Sequence, residues 1–222
     1  DTMFGIDSLS RYAGTSSFSL DADNRPFDRD EALYLETQYD GEIRMADTRI
    51  EGLLRCVGEA GRGSETVVIL VADHGEEFME RGGYDHGNTL FQEMLHIPLV
   101  FHGPGVPAGV IRSEVVGQVD IAPTILALAG APVPEVMAGI DILAPEIPER
   151  AMPSGSTRSN TLYCVRFGDK KLVLESGEGA TLFDLASDPG EIHPLPPDSM
   201  LVDSIVKYLT LQRLGNRSVV LD

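Results

Sequence analysis

The sequence is poor in lysine. Only Lys170, Lys171 and Lys207 occur in 222 residues, and arginine supplies most of the positive charge. Asp and Glu number 35 against 17 Lys and Arg, for a formal net charge of −18. A surface with that excess repels phosphate backbones and anionic headgroups, so nucleic acid and acidic membranes are excluded as main partners. A local cationic site is still open, because a bound divalent ion dominates the field inside a crevice. Cysteine is scarce too. Cys56 falls in a helical pattern and Cys164 in a strand pattern, and their spacing fits no zinc or redox motif. Both read as buried apolar thiols rather than as a disulfide. No apolar run is long enough to span a bilayer, and no leader peptide is read at the start. The chain begins at Asp1 rather than at methionine, which reads as a piece of something longer.

Hydrophobic content is 42% and mean hydropathy −0.02, enough for a sizeable core and against global disorder. The length allows one large domain, or one domain with a small appendage. Residues 1–26 are polar and Ser-rich and read as a lead-in. Apolar positions Leu35, Tyr39, Ile43, Ala46, Ile50, Leu54 and Val57 then step by threes and fours, which predicts a long amphipathic helix over 30–60. Gly61-Arg62-Gly63-Ser64 turns it into Thr66-Val67-Val68-Ile69-Leu70-Val71-Ala72, a continuous apolar run that reads as a strand buried on both faces. Ile97–Phe101 predicts a second buried strand and Val115–Val119 a short third. Asp120 is placed to cap a helix through Leu128. Residues 131–159 are rich in Pro and Gly and read as a connector. Beyond it lie three strand-like runs, Thr161–Phe167, Lys170–Glu175 and Ala180–Asp184, with a hairpin signal at Gly168-Asp169. Leu201, Ile205, Tyr208 and Leu209 predict a terminal helix over 198–211. The expected organisation is a larger α/β portion over 1–150 and a small α+β subdomain over 151–222.

The apolar run stops at Asp73-His74-Gly75-Glu76-Glu77. In open α/β sheets, ligands bind outside the carboxyl ends of strands. A carboxylate beside an imidazole at such an end suits a divalent cation: Ca, Mg, Mn or Zn, according to the other ligands. The bland reading of the same pair is a capping Asp and a surface His. His86 sits in a polar, Gly-rich loop, where its bland reading is a His that orders the turn. Asn88 is a weaker polar candidate. His96, His102 and His193 read as surface or capping residues.

Asp73-His74-Gly75-Glu76, followed by His86-Gly87-Asn88-Thr89-Leu90-Phe91 and Ile97-Pro98-Leu99-Val100, resembles the sulfatase family of the alkaline-phosphatase-like superfamily. Tyr39-Asp40-Gly41-Glu42-Ile43 is similar to the family's helix before the metal strand. Val119-Asp120-Ile121-Ala122-Pro123-Thr124 is similar to its later strand-to-helix junction. Val165–Leu172, Leu182-Phe183-Asp184-Leu185 and Asp188-Pro189-Gly190-Glu191 resemble its C-terminal subdomain. The resemblance implies an α/β fold: a partial, mostly parallel sheet flanked by helices, plus a small C-terminal antiparallel sheet with a helix. It implies that Asp73 and His74 are metal ligands, and it places His86 near the family's substrate-contacting position.

The departures carry equal weight. The family's nucleophile lies in a Cys/Ser-x-Pro-Ser-Arg motif whose first residue becomes formylglycine. Cys56 is followed by Val-Gly-Glu and Cys164 by Val-Arg-Phe, while Ala151-Met152-Pro153-Ser154-Gly155 has Ala at the nucleophile position. The paired N-terminal aspartates that complete the family's metal site are also missing. The expectation is therefore the C-terminal part of a sulfate ester hydrolase, holding half of a divalent metal site. Its partners would be a sulfate or phosphate ester and the missing N-terminal part of the same enzyme, and the chain alone would be inactive. A phosphonate or phosphodiester hydrolase, or a phosphoglycerol or phosphoethanolamine transferase, keeps the fold and changes the substrate. A truncated, non-catalytic binding module is the third reading.

Overall fold

A computed structural model describes residues 28–156, 162–175, 177 and 179–196. The described chain divides into two compact units. The first comprises residues through His86 together with Ile97–Pro104; the second comprises Gly87–His96 and the residues from Gly105 onward. The terminal helix expected over 198–211 lies outside the described residues, as does the lead-in over 1–26.

In the first unit, helix α1 (Arg29–Glu59) starts at a reciprocal cap. The Asp28 carboxylate accepts from Glu31 N–H at 2.9 Å, and Glu31 Oε2 accepts from Asp28 N–H at 2.9 Å. This satisfies N–H groups that have no partner inside the helix. Asp30 and Glu31 also set negative charge against the positive end of the helix dipole. The expected apolar stripe is present but lightly covered. Leu35, Ile50 and Val57 are half-buried, whereas Tyr39, Ile43, Ala46 and Leu54 are exposed. Cys56 is exposed as well, so the reading of two buried thiols holds for Cys164 alone.

A turn of 3-10 helix (Gly63–Glu65) leads into β1 (Val68–Val71), which pairs with β4 (Leu99–His102). The pairing is antiparallel, with Val68 opposite His102 and Val71 opposite Leu99. In this unit the described pairing thus differs from the parallel neighbours expected. A parallel pair needs a crossover, usually a covering helix. Here the connection from Ala72 to Pro98 carries a small hairpin and one helical turn instead. Burial also differs: Leu70 is 38% and Val100 53% exposed, because a ribbon of two strands leaves apolar side chains uncovered where three stacked layers would bury them. Gly103 closes the ribbon at φ 134°; a Cβ there would lie 2.5 Å from Thr66 O.

In the second unit, the short helix α2 spans Gln92–Leu95. Val115–Val119 is not a strand. Residues Gln118–Asp120 form a 3-10 turn, followed by α3 (Ile121–Leu128). The fully buried Asp120 carboxylate sets this geometry. It accepts from Gly117 N–H and Ile140 N–H, each at 2.9 Å, and pairs with Arg150. Those bonds turn its side chain away from the role of α3 cap.

Strands β5 (Met152–Gly155), β6 (Leu162–Phe167), β7 (Lys170–Glu175) and β8 (Gly179–Asp184) form a four-stranded antiparallel sheet in sequence order. β5 falls inside the expected connector; its Pro153 is tolerated because β5 is an edge strand. Gly168, at φ 53°, makes the turn between β6 and β7. Alternation then sorts the side chains. Val165, Leu172 and Leu182 pack on one face, while Leu162, Cys164 and Val173 face the other and meet Leu90 and Leu95. Burying each of these leucines contributes about 1.5–3 kcal/mol.

Candidate functional site

The site forms where β1 stops. Ala72 N–H donates to Pro98 O at 3.4 Å, a last rung beyond the ladder, and the chain then leaves the sheet at Asp73. It enters a miniature hairpin of β2 (Glu77–Phe78) and β3 (Tyr84–Asp85), with Glu77 opposite Asp85. Met79 N–H donates to Gly83 O at 2.8 Å, and Met79 and Gly82 take the left-handed conformations the tight return requires. Glu77 is buried, and its Oε1 accepts from Gly83 N–H at 3.2 Å. Phe78 meets Tyr39 of α1 edge-on at 5.3 Å, which ties the hairpin to the long helix.

Asp85 carries φ 73°, a conformation uncommon for a non-glycine residue. The bend returns His86 to the strand end, where its ring stacks on that of His74 with centroids 4.1 Å apart and planes 26° apart. His86 Nδ1 lies 2.9 Å from Asp85 Oδ1 and 3.4 Å from Glu76 Oε2. His74 Nδ1 lies 2.8 Å from Gly75 O. His74, Glu76 and His86 each offer one ligand atom, and these atoms all lie within 4.8 Å of one another. Burial holds the Glu76 carboxyl above its ordinary range, partly offset by the neighbouring His86.

Of the three residues singled out in the sequence, the structure brings His74 and His86 together. Asp73 stands next to them with its side chain 88% exposed; its Oδ1 accepts from His74 N–H at 3.0 Å, and its Oδ2 lies 3.7 Å from His74 Nε2. Glu76 was missed as a possible ligand. Its signal lay in the same Asp-His-Gly-Glu segment, two residues after His74. Two imidazoles and a carboxylate are a donor set that suits a divalent ion, so the residues present fit one. His96 and His102 are exposed, and exposed His193 takes its place in a turn around Asp188, matching their bland readings. Among the described residues, no helix is long and apolar enough to cross a membrane.

The chain is 28% identical to human arylsulfatase K over 196 residues, which covers 80% of this chain and 36% of the relative. A solved 2-O GAG sulfatase superposes with a TM-score of 0.71 at 22% identity, over 89% of this chain and 47% of that one. A phosphonate monoester hydrolase from Silicibacter pomeroyi superposes with a TM-score of 0.70 at 22% identity, over 95% of this chain and 46% of that one. These structural likenesses carry the alkaline-phosphatase-like α/β fold. The chain spans about a third of the curated relative's length and about half of each solved chain. The sulfatase family profile matches residues 9–131, more than half of the sequence, and takes in α1, β1, β4, α3 and the histidine pair at the strand end. The chain belongs to the sulfatase family.

Proposed function

We propose that this chain is the C-terminal part of a metal-dependent hydrolase of sulfate esters, whose nucleophile is supplied by sequence preceding it. The observation that carries the reading is the gathering of His74, Glu76 and His86 at the end of β1, inside the segment the family profile matches. In this reading Asp73 and His74 belong to the metal site, where a divalent ion would polarise the ester oxygens. In this reading His86, oriented through Nδ1 by Asp85, would face an ester oxygen or the leaving group with Nε2. Residues 1–150 form the C-terminal portion of the catalytic α/β domain. Residues 151–222, beginning with the strands β5–β8, form a small C-terminal subdomain.

The likeness to a phosphonate monoester hydrolase, as close in TM-score as that to the sulfatase, supports a second reading with phosphonate or phosphate diesters as substrate. One assay tests both. The 222-residue chain and a chain extended upstream are compared on a chromogenic aryl sulfate, an aryl phosphonate and an aryl phosphate, with Ca, Mg, Mn and Zn. Only the extended chain should turn over, since losing a nucleophile in hydrolase triads costs about 10⁶-fold in kcat. Metal-dependent turnover by the short chain, abolished by Asp73→Ala, would refute the missing-nucleophile reading. Preference for the phosphonate would favour the second substrate class.

A further inference from the structure

We infer that the face of the C-terminal sheet beneath residues 88–91 carries a small-molecule pocket, which takes a single ring bearing a short cationic arm and turns anions away. The pocket lies wholly within the second unit, and the inference does not require the ester-hydrolase reading.

Strand register builds the floor. Leu162, Glu175 and Gly179 stand in line across β6, β7 and β8, and Val173 stands opposite Thr181. Alternation along each strand sends these side chains to one face. The segment Asn88-Thr89-Leu90-Phe91 supplies the facing wall, with Leu90 in the same apolar cluster as Leu162. Short side chains keep the space open. Gly179 has none, and nothing lies within 4 Å of where its Cβ would stand; Thr181 next along the same face is exposed. The result is a cavity of about 190 Å³. An apolar cavity of about 150 Å³ accepts benzene. This one therefore has room for one six-membered ring and a short arm, and is too small for the drug-sized ligands of sites of about 300–1,000 Å³.

Polarity then selects the ligand. The bottom is apolar: Leu90, Leu162 and Phe183 are buried, and Phe91 meets Phe183 edge-on at 6.0 Å. The rim is polar, with Asn88, Glu175 and Thr181 exposed. An apolar floor with a few polar groups at the mouth is the usual make-up of a ligand site. Glu175 is the charged residue of the lining, which contains no Lys, Arg or His. Lys171 sits two positions earlier on the same face of β7, but it is sealed from solvent and its charge is already paired with Glu191 at 2.6 Å. An anionic arm would thus meet Glu175 without a compensating cation, inside a chain of formal charge −18. An ammonium arm would meet an attraction.

The experiment is titration of the isotope-labelled 222-residue chain, read from its amide NMR spectrum. The probes are phenethylamine, 2-phenylethanol and phenylacetate, which share a ring and differ in the charge of the arm. Phenethylamine should give saturable shifts at residues 88–91, 173–175 and 179–181, with a Kd on the order of 1 mM, as befits so small a ligand. The neutral alcohol should bind about fivefold more weakly, the scale of an exposed ion pair, and phenylacetate more weakly still. That preference should shrink as salt is raised. Glu175→Gln should abolish the preference and leave the alcohol's affinity unchanged, which a collapsed pocket would not do. Thr181→Leu fills the cavity and should remove binding of all three. Both substitutions fall at exposed positions, and the amide shifts of β5 and β6 report whether each variant keeps its fold. Three results would overturn the inference: shifts scattered over the surface without saturation, phenylacetate binding as tightly as phenethylamine, or binding indifferent to Thr181→Leu in a folded chain. None of these readouts involves ester turnover, so failure here leaves the hydrolase reading standing.

Discussion

Lys171 Nζ lies 2.6 Å from Glu191 Oε1, and both side chains are sealed from solvent, at 1% and 0% exposure. The atoms meet as an ion pair rather than along the line of a hydrogen bond. The second oxygen of Glu191 accepts from Gln92 N–H at 2.7 Å, and the ammonium sits 5.8 Å over the Phe91 ring. One charge therefore fastens β7, the turn after β8 and the start of α2. Removing either partner leaves the other buried and uncompensated, which typically costs about 3–5 kcal/mol. Lys171→Ala and Glu191→Ala should each lower the urea midpoint to that degree without changing its slope. A shift under about 1 kcal/mol would mean that water reaches the pair.

The two thiols should differ sharply in reactivity. Cys56 is exposed on α1, whereas burial pushes the Cys164 thiol up to about 11, against the pull of Lys171. The thiolate is the reactive species. At pH 8, a thiol reagent should label Cys56 at once and Cys164 only in denaturant. Two equally fast thiols would place β6 outside the core.

Gly103→Ala should destabilise the β1–β4 ribbon. A Cβ there meets Thr66 backbone at φ 134°, so neither rotamer choice nor side-chain movement relieves it. The expected loss is roughly 1–3 kcal/mol, read from thermal unfolding. Gly109→Ala is the control, since its φ is also positive but a Cβ there meets open space.

The turn after β8 should open in acid. Asp188 accepts from His193 N–H at 2.8 Å and Ile192 N–H at 3.1 Å, and these bonds hold its carboxyl below the ordinary range. A carboxyl depressed in the fold contributes stability above its unfolded value, and that contribution is lost as pH falls through the folded value. Protection of the Ile192 and His193 amides, with exchange rates corrected for their intrinsic pH dependence, should therefore fall as acid protonates Asp188. Asp188→Asn should flatten that dependence. Exchange that ignores acidification in the parent chain would show that the carboxylate does not hold the turn.

The legible parts of the fold were those written in local pattern. The run through Val71 broke at Asp73, and that break located the strand end. Gly168-Asp169 located the β6–β7 hairpin. Strand direction is not encoded in a run of apolar residues, so the antiparallel β1–β4 pairing could not be read from Val68–Val71 and Leu99–His102. Val115–Val119 has strand composition, but the buried Asp120 carboxylate binds Gly117 and Ile140 and winds the segment into a 3-10 turn. β5 was hidden because Pro153 argues for a connector, an argument that lapses on an edge strand. At the site, Asp73, His74 and His86 were marked by type and position. Glu76 was not, because its approach to His86 depends on the left-handed bend at Asp85.

The thinly covered stripe of α1 bears on how the molecule behaves in a tube. Ile43 is 54% and Leu54 43% exposed, and Val100 on the ribbon is 53% exposed. Such patches attract one another in water, and a formal charge of −18 keeps their owners apart. That repulsion fades with the Debye length, from about 30 Å at 0.01 M salt to about 3 Å at 1 M. The protein should therefore stay dispersed in dilute buffer and cluster as salt is raised, the reverse of an assembly held by ion pairs, and light scattering across a sodium chloride series would register the turnover.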